Sequence, residues 1–454
     1  MSRQLFGTDG IRGVAGEFPL TRESTYLIGR ALGHDLIRGN ANARVVIGQD
    51  TRESSRWIAD RVSQGLFSVG VTVSSAGVIT TPGVAYLARS QNFDAGVVIS
   101  ASHNPWTDNG IKVFSGDGYK LPDAHELAIE KEIFTLLQDA PPEPPDTNLP
   151  SSLPGEAALR HAYVRWLAAK ITTDVSGLRI VVDCANGAAT AEAPELFRSL
   201  GTNPKFLHSA PNGKNINEQC GALHPETVAR FMVEETGPFD LGVTFDGDAD
   251  RALFSDAHGR VVNGDAVLLV AAREMQKAGS LVNNTVVATT MSNMGLEIAL
   301  KRSGIQMLRA NVGDKYVLEE MQRVGATLGG EQSGHILFRD GDATTGDGLL
   351  TALRIMQTMV RSGKSLAELT GDLKVFPQTI RNVRVREKIP FAQIPAAQTA
   401  ITAAERELNG NGRVVVRYSG TEALARVMIE AESKDKMDRL ATAIVTAIQT
   451  ALGG

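Results

Sequence analysis

The sequence predicts an α/β fold: three related α/β units with mixed, largely parallel sheets, followed by a small C-terminal α+β domain. Three observations carry this prediction. Apolar, β-branched runs alternate with helix-like segments over most of the chain, the pattern of strands joined by crossover helices. A series of strand, small-residue loop, helix, second strand and motif-bearing third strand recurs three times. Past Gly371 the texture changes to short strands interleaved with two helices.

The first strands of the three units are Arg44–Gly48, Arg179–Asp183 and Val286–Thr289. Each runs into small or polar residues and then a helix: Gln49–Arg52, Cys184–Gly187 and Met291–Gly295. Second strands follow at Val71–Val73, Lys205–Leu207 and Ile305–Leu308. The third strands end in Ser100–Pro105, in the Asp246 cluster and in Gly330–His335. Ligands of open α/β sheets bind at carboxyl ends of strands, so three such ends can build one shared site. The proline run from Pro141 through Pro154 fits neither helix interior nor central strand and reads as a linker. Asn263-Gly264-Asp265 and Thr345-Gly346-Asp347 start helices, the second with Leu349, Leu350, Leu353, Met356 and Val360 on one face. Asn382–Arg386, Val414–Val416 and Arg426–Ile429 read as strands of a mostly antiparallel sheet, with helices over Ala397–Asn409 and Lys434–Leu452. The expected domains are therefore 1–154, 155–256, 257–370 and 371–454.

Composition narrows the class. The 454 residues are 43% hydrophobic and carry a net charge of −5, which fits an ordinary globular protein and argues against nucleic acid or an anionic membrane as partner. Two cysteines, Cys184 and Cys220, stand in no metal-like spacing and suggest no disulfide framework. Residues 1–7 carry no apolar signal core and no run reaches the length of a membrane span, so a cytoplasmic setting is expected.

Asp246-Gly247-Asp248-Ala249-Asp250-Arg251 follows the apolar run Leu241–Phe245. On extended chain, residues two apart face the same way, and Gly247 and Ala249 leave room to bring the carboxylates together. Converging carboxylates repel unless a cation sits between them, and hard oxygen ligands select Mg²⁺. An acidic surface turn is the plainer alternative, but it does not need a buried strand before it. An EF-hand is excluded, because its sixth and twelfth loop positions would be Arg251 and Ala257 rather than Gly and Glu. Arg251 suggests a nearby anion.

Ser102 sits in a tight loop beyond Val97–Ile99, closed by Asn104-Pro105. Alone it is a turn serine; beside a carboxylate-bound metal it is a candidate phosphoryl acceptor, with His103 either assisting proton movement or capping the loop. Gly7–Gly13 reads as a flexible, donor-rich loop to which Arg12 adds charge. Arg417-Tyr418-Ser419-Gly420-Thr421-Glu422 offers guanidinium, hydroxyl and N–H donors after a strand, and Arg426 can approach the same anion; phosphate suits it better than a plain hairpin turn. Glu331, Ser333 and His335 alternate, a row able to bond successive sugar hydroxyls.

Taken together, Phe6–Gly13, Ser100–Pro105, Asp246–Arg251, Gly330–His335 and Arg417–Glu422 resemble, in this order, the motif set of the α-D-phosphohexomutases over nearly the whole chain. Thr290–Glu297, Asn311–Tyr316 and Gly330–Ile336, with Gln332, resemble the branch acting on glucosamine phosphates. The resemblance implies four domains around one central cleft and a phosphoserine enzyme. Ser102 would carry the phosphoryl group and, with Asp246, Asp248 and Asp250, hold Mg²⁺. Glu331 and Ser333 would contact sugar hydroxyls. Arg417, Ser419, Gly420, Thr421 and Arg426 would hold the phosphate that is not reacting. Arg12, Lys112, Arg251 and His335 would act as electrostatic and proton-transfer groups. The implied reaction interconverts glucosamine 6-phosphate and glucosamine 1-phosphate through glucosamine 1,6-bisphosphate, for UDP-N-acetylglucosamine synthesis. The implied partner is a small phosphosugar, with no nucleic acid and no membrane, and the chain is a monomer or homodimer. The family loop usually continues Ser-Gly-Thr-Glu-Pro, whereas Ala423 follows Glu422 here. Alternatives are a mutase of mannose or glucose phosphates with the same mechanism, a Mg²⁺-dependent sugar phosphatase, which leaves Ser102 unexplained, and a catalytically silent phosphosugar sensor.

Overall fold

The computed structural model describes residues 4–7, 9–139, 153, 155–235, 237–339, 341, 343–419 and 423–453. The chain divides into two compact units, residues 1–290 with 307–370, and residues 291–306 with 371–454. Apart from residue 153, the proline run expected as a linker lies outside the described residues.

The larger unit holds three sheets built on one plan. In the first, β1 (Phe6–Gly7), β2 (Gly10–Val14), β3 (Arg44–Gln49), β4 (Thr72–Val78), β5 (Ala95–Ile99) and β6 (Asp108–Ser115) are ordered β1-β2-β6-β5-β3-β4. The second contains β7 (Ile180–Asp183), β8 (Lys205–Leu207), β9 (Leu241–Phe245), β10 (Ala252–Asp256) and β11 (Val261–Val262), ordered β11-β10-β9-β7-β8. The third contains β12 (Thr285–Thr289), β13 (Gln306–Ala310), β14 (Leu328–Gly330) and β15 (Ile336–Phe338), ordered β13-β12-β14-β15. Every sheet thus runs second, first, third, fourth strand. The first and third strands pair in parallel, and the third and fourth antiparallel. The threefold repeat read from the sequence is real, and each repeat adds, just past its motif, an antiparallel fourth strand that the sequence reading did not assign.

The central strands β5, β9 and β12 are buried at every position. That explains their unbroken apolar runs: a sheet covered on both faces has no polar side. The expected starts of two helices hold. Asn263 caps Gly264–Lys277 by accepting the Ala266 N–H, and Asp347 caps Gly348–Ser362 by accepting the Leu350 N–H. One expectation is corrected. Gly7–Gly13 is not a free loop but largely the hairpin β1–β2, with β2 paired to β6. Phe6 and Ile11 are buried in the core of the first sheet, which fixes the hairpin there.

In the smaller unit, β16 (Gln378–Arg384), β17 (Gly412–Tyr418) and β18 (Leu424–Ala431) form an antiparallel sheet ordered β16-β18-β17. Helices Pro395–Leu408 and Lys434–Leu452 supply Ala404, Leu440, Ile444 and Ile448 to a core with Val427 and Ile429. Each fully buried valine, leucine or isoleucine there contributes about 1.5–3 kcal/mol. The helix Met294–Arg302 belongs to this unit: the Met294 N–H donates to Glu430, and the Asn293 amide donates to the Phe376 carbonyl. Among the described residues no helix is long and apolar enough to cross a membrane.

Candidate active site

The loops at the ends of β5 and β9 meet. Gly247 is required at the crossing, since a Cβ there would stand 2.5 Å from the Ser102 carbonyl oxygen. Ser102 itself holds φ = 52° and Ala249 φ = 55°, left-handed conformations unusual for residues with a Cβ. Surrounding bonds fix Ser102 in this conformation. The Ser102 N–H donates to Ser100 Oγ at 2.9 Å, and Ser100 Oγ donates to Asp50 at 2.7 Å. Arg52, buried and bonded to Asp50, donates to the carbonyls of Ser102, Asn104, Pro105 and Asp108. Asn217 from the second sheet donates to the carbonyls of Ser102 and Asn104 at 2.9 and 3.2 Å. Arg52 and Asn217 were not anticipated as functional; an Asp-x-Arg at a strand end was the available signal for the first.

Asp246, Asp248 and Asp250 are all buried, with oxygens within 4.8 Å of one another. They converge through a turn, closed by Ala249 N–H to Asp246 carbonyl at 3.0 Å, rather than along extended chain as expected. The left-handed Ala249 supplies the bend. Ser102 Oγ donates to Asp246 Oδ2 at 2.5 Å, so Ser102 and the carboxylates form one constellation. Thr81, at the start of the helix Thr81–Ser90, donates to Asp248 from its hydroxyl at 2.6 Å and from its N–H to the Asp248 carbonyl. Burial, then Asp250 and Asp248, push Asp246 up to about 8. Burial also works against ionised Asp250, but Lys112, His335 and Arg251 outweigh it and hold that carboxyl well below the usual range. Asp248 Oδ1 and Asp250 Oδ1 are buried without hydrogen bonds. Crowded carboxylates with unsatisfied oxygens fit a hard divalent cation, so the triad is able to bind a metal ion.

Cations ring the triad. Lys112 Nζ lies 2.7 Å from Asp248, 3.0 Å from Asp9 and 3.4 Å from Asp250, and is itself 2% exposed. Burial opposes its charge, yet Asp248, Asp9 and Asp250 keep it protonated far above its ordinary range. Arg12 pairs with Asp9, and Lys120 bridges Asp9 and Asp314 at 2.6 Å each. Arg251 Nη1 is 3.2 Å from His103 Nδ1, which in turn is 3.3 Å from Ser102 Oγ. Burial, Arg251 and Arg12 lower His103 to about 4, so it is a neutral ring at physiological pH. His335 behaves oppositely. Burial would lower it, but Asp250 near Nδ1 and Asp314 near Nε2 lift it to about 9. The Gly346 N–H aimed at Nε2 at 3.2 Å favours the neutral ring, yet one weak neutral donor is outweighed by two flanking carboxylates.

Arg12, His103, Asp250, Arg251, Gly313, Asp314, Glu331 and His335 face a cavity of about 450 Å³. Glu331 accepts the Gly313 N–H at 2.9 Å, while Ser333 is exposed and 3.5 Å from Glu331. The expected alternating row is a turn, closed by Gly334 N–H to Glu331 carbonyl; Glu331 and His335 line the cavity, and the exposed Ser333 stands next to Glu331. In the smaller unit, Arg417 and Arg426 are cross-strand partners, and with Asn382, Val415 and Met428 they line a separate hollow. Ser419 is buried at the end of β17, while Gly420 and Thr421 lie outside the described residues.

The chain belongs to the phosphoglucomutase/phosphomannomutase family. Its four models, α/β/α domains I, II and III and the C-terminal domain, match residues 3–139, 161–259, 263–376 and 381–447. Among similar proteins is the phosphoglucosamine mutase of Koribacter versatilis, 62% identical over 452 residues, covering 99% of this chain and 98% of that one. The phosphoglucosamine mutase of Solibacter usitatus is 52% identical over 453 residues, the full length of both. A phosphoglucomutase/phosphomannomutase family protein from Burkholderia thailandensis shares the fold, with a TM-score of 0.79 at 23% identity over 98% of this chain and 97% of that one.

Proposed function

We propose that this chain interconverts glucosamine 6-phosphate and glucosamine 1-phosphate by two phosphoryl transfers through Ser102, with glucosamine 1,6-bisphosphate between them. The supporting relatives at 62% and 52% identity bear the name phosphoglucosamine mutase. The observation that carries the reading is the short contact of Ser102 Oγ with a carboxylate trio whose charge calls for a cation.

Asp246, Asp248 and Asp250 would hold Mg²⁺, with a phosphoserine oxygen as a further ligand. When bound, the ion neutralises charge on the transferring phosphoryl group. The chain's own cations do the rest. In the first transfer the bond from phosphorus to Ser102 Oγ breaks as a bond to the sugar O1 forms; O1 loses its proton and Ser102 Oγ gains one. In the second, the bond from phosphorus to O6 breaks as one to Ser102 Oγ forms; Oγ loses its proton and O6 gains one. The Ser102 proton has two acceptors in reach, Asp246 Oδ2 at 2.5 Å and His103 Nδ1 at 3.3 Å. Arg251 donates to the His103 Nδ1 lone pair at 3.2 Å, so Asp246 Oδ2 is the acceptor this geometry favours. Arg251, Arg12 and protonated His335 face the cavity and stabilise the charge spread over the phosphoryl oxygens. Glu331 is placed to accept hydrogen bonds from sugar hydroxyls, with Ser333 beside it.

Arg417 and Arg426 would hold the phosphate that is not reacting. Arg417 and Arg426 are register partners across β17 and β18 and line one hollow, so both guanidinium groups can serve one anion there. Guanidinium recognises phosphate without reading the sugar, so one pair serves the 6-phosphate first and the 1-phosphate second.

The test is incubation with glucosamine 6-phosphate, Mg²⁺ and a trace of bisphosphate, followed by ³¹P NMR. Glucosamine 1-phosphate is expected, with glucose and mannose 6-phosphates turned over more slowly. Release of free phosphate instead identifies a hydrolase and overturns the proposal.

A further inference from the structure

A second group of metal-type side chains lies apart from the aspartate triad, in the second sheet. Asp183 ends β7 and His208 follows β8, so both stand at carboxyl ends of neighbouring parallel strands. Cys220 reaches them from the loop before the α-helix Glu226–Glu234. A carboxylate oxygen, an imidazole nitrogen and the thiol sulfur all lie within 4.8 Å of one another. Asp183 and Cys220 are fully buried, and His208 forms the partly open wall. Sequence spacing hid the group, because its members are 12 to 37 residues apart.

Three features distinguish this cluster from ordinary packing. Asp183 is oriented by two backbone donors, the Ala185 N–H at 2.7 Å on one oxygen and the Gly221 N–H at 3.0 Å on the other. Outer hydrogen bonds of that kind are how ligating carboxylates are held. His208 Nδ1 is buried and stands 3.1 Å from Asp183 Oδ2, a close pairing of imidazole and carboxylate that raises the ring's pKa. The backbone around the group is strained at Ala185, Asn186, His208, Asn217 and Gln219, all non-glycine residues with positive φ between 49° and 58° except His208 at 43°. Strain of this density collects at ligand sites.

We propose that Asp183, His208 and Cys220 form a second metal site, selective for zinc or a similar transition ion. Oxygen, nitrogen and sulfur donors together suit Zn²⁺, whereas the hard Mg²⁺ has no use for a thiolate. Tetrahedral ligands at zinc distances lie roughly 3.5 Å apart, so rotation of the half-open His208 ring closes the set. On binding, the Cys220 S–H bond breaks, its proton leaves to water and a metal–sulfur bond forms. Three protein ligands leave the fourth position to water. The ion would fix the 208–221 loop, whose Asn217 donates both to the Ser102 and Asn104 carbonyls and, from its N–H, to the Ala185 carbonyl. The proposal stands independently of the sugar substrate.

The experiment is titration of the chelator-treated full chain with Co²⁺ in saturating Mg²⁺, followed by absorbance. One equivalent is expected to give a near-ultraviolet sulfur-to-cobalt band that Zn²⁺ displaces. Cys220→Ser should remove the band. His208→Ala, at a half-open position that spares the core, should weaken Co²⁺ binding by at least about 10-fold. Cys184→Ala should keep the band. Absence of the band in the wild-type chain, its survival in Cys220→Ser, or its loss in Cys184→Ala but not in Cys220→Ser overturns the proposal.

Discussion

On the proposed reading, the Ser102–Asp246 region and the Arg417–Arg426 region would handle the same chemical group, and their surroundings are opposite. The first is buried, with Ser102 1% exposed and each of its neighbours tied by several bonds. The second is an open strand pair with Arg417 exposed. Bond making needs a fixed nucleophile and fixed charges, because reorganisation during the transfer would raise the barrier. Holding a spectator phosphate needs only charge and donors. Variants in the first region should therefore lower kcat, and variants in the second should raise KM.

Ser102→Ala is the sharpest test of that contrast. Turnover should fall by about 10⁴-fold or more with the circular dichroism spectrum unchanged. Intact-mass analysis of active protein should show a phosphate that disappears in this variant. Comparable turnover in the variant would break the contrast at its root. Arg52→Met should cost about 3–5 kcal/mol of stability, because Asp50 would be left as a buried unpaired charge. Thermal unfolding checks this, and an unchanged midpoint would show that the Ser102 loop is held elsewhere. Asp248→Asn should lower kcat by roughly 10²–10³-fold and shift the Mg²⁺ dependence, read by metal titration of the initial rate.

His335 gives a pH signature. Its folded value of about 9 lies above the ordinary 6.5, so its stabilising contribution is complete below pH 6.5 and lost as pH rises through 9. The wild type should lose up to about 3 kcal/mol relative to His335→Gln over that window, measured by urea unfolding at several pH values. A constant difference would mean the ring is neutral throughout. The smallest effect is expected for Arg417→Ala. KM should rise about tenfold for both glucosamine phosphates, with kcat nearly unchanged. A change for one substrate alone would deny the shared role.

Much of the fold was legible because buried parallel strands are continuous apolar runs; β3, β5, β7, β9 and β12 could hardly be hidden. The fourth strands β10 and β15 were not, since Ala252–Asp256 and Ile336–Phe338 are short and abut charged motifs. The β1–β2 hairpin was missed because glycine-rich sequence suggests freedom, while the burial of Ile11 that removes it is a tertiary fact. The aspartate cluster was legible by composition but not by geometry, which depends on the left-handed turn at Ala249. Lys120 escaped because an isolated basic residue looks the same in sequence whether it faces water or bridges two carboxylates.

The contact at Gly247 has a practical consequence. With only 2.5 Å between the Ser102 carbonyl oxygen and the place where a methyl group would go, the two loops share a seam too narrow for any inserted atom. On the proposed reading, an inhibitor would instead enter the cavity lined by Arg12 and Glu331 and compete there with the sugar.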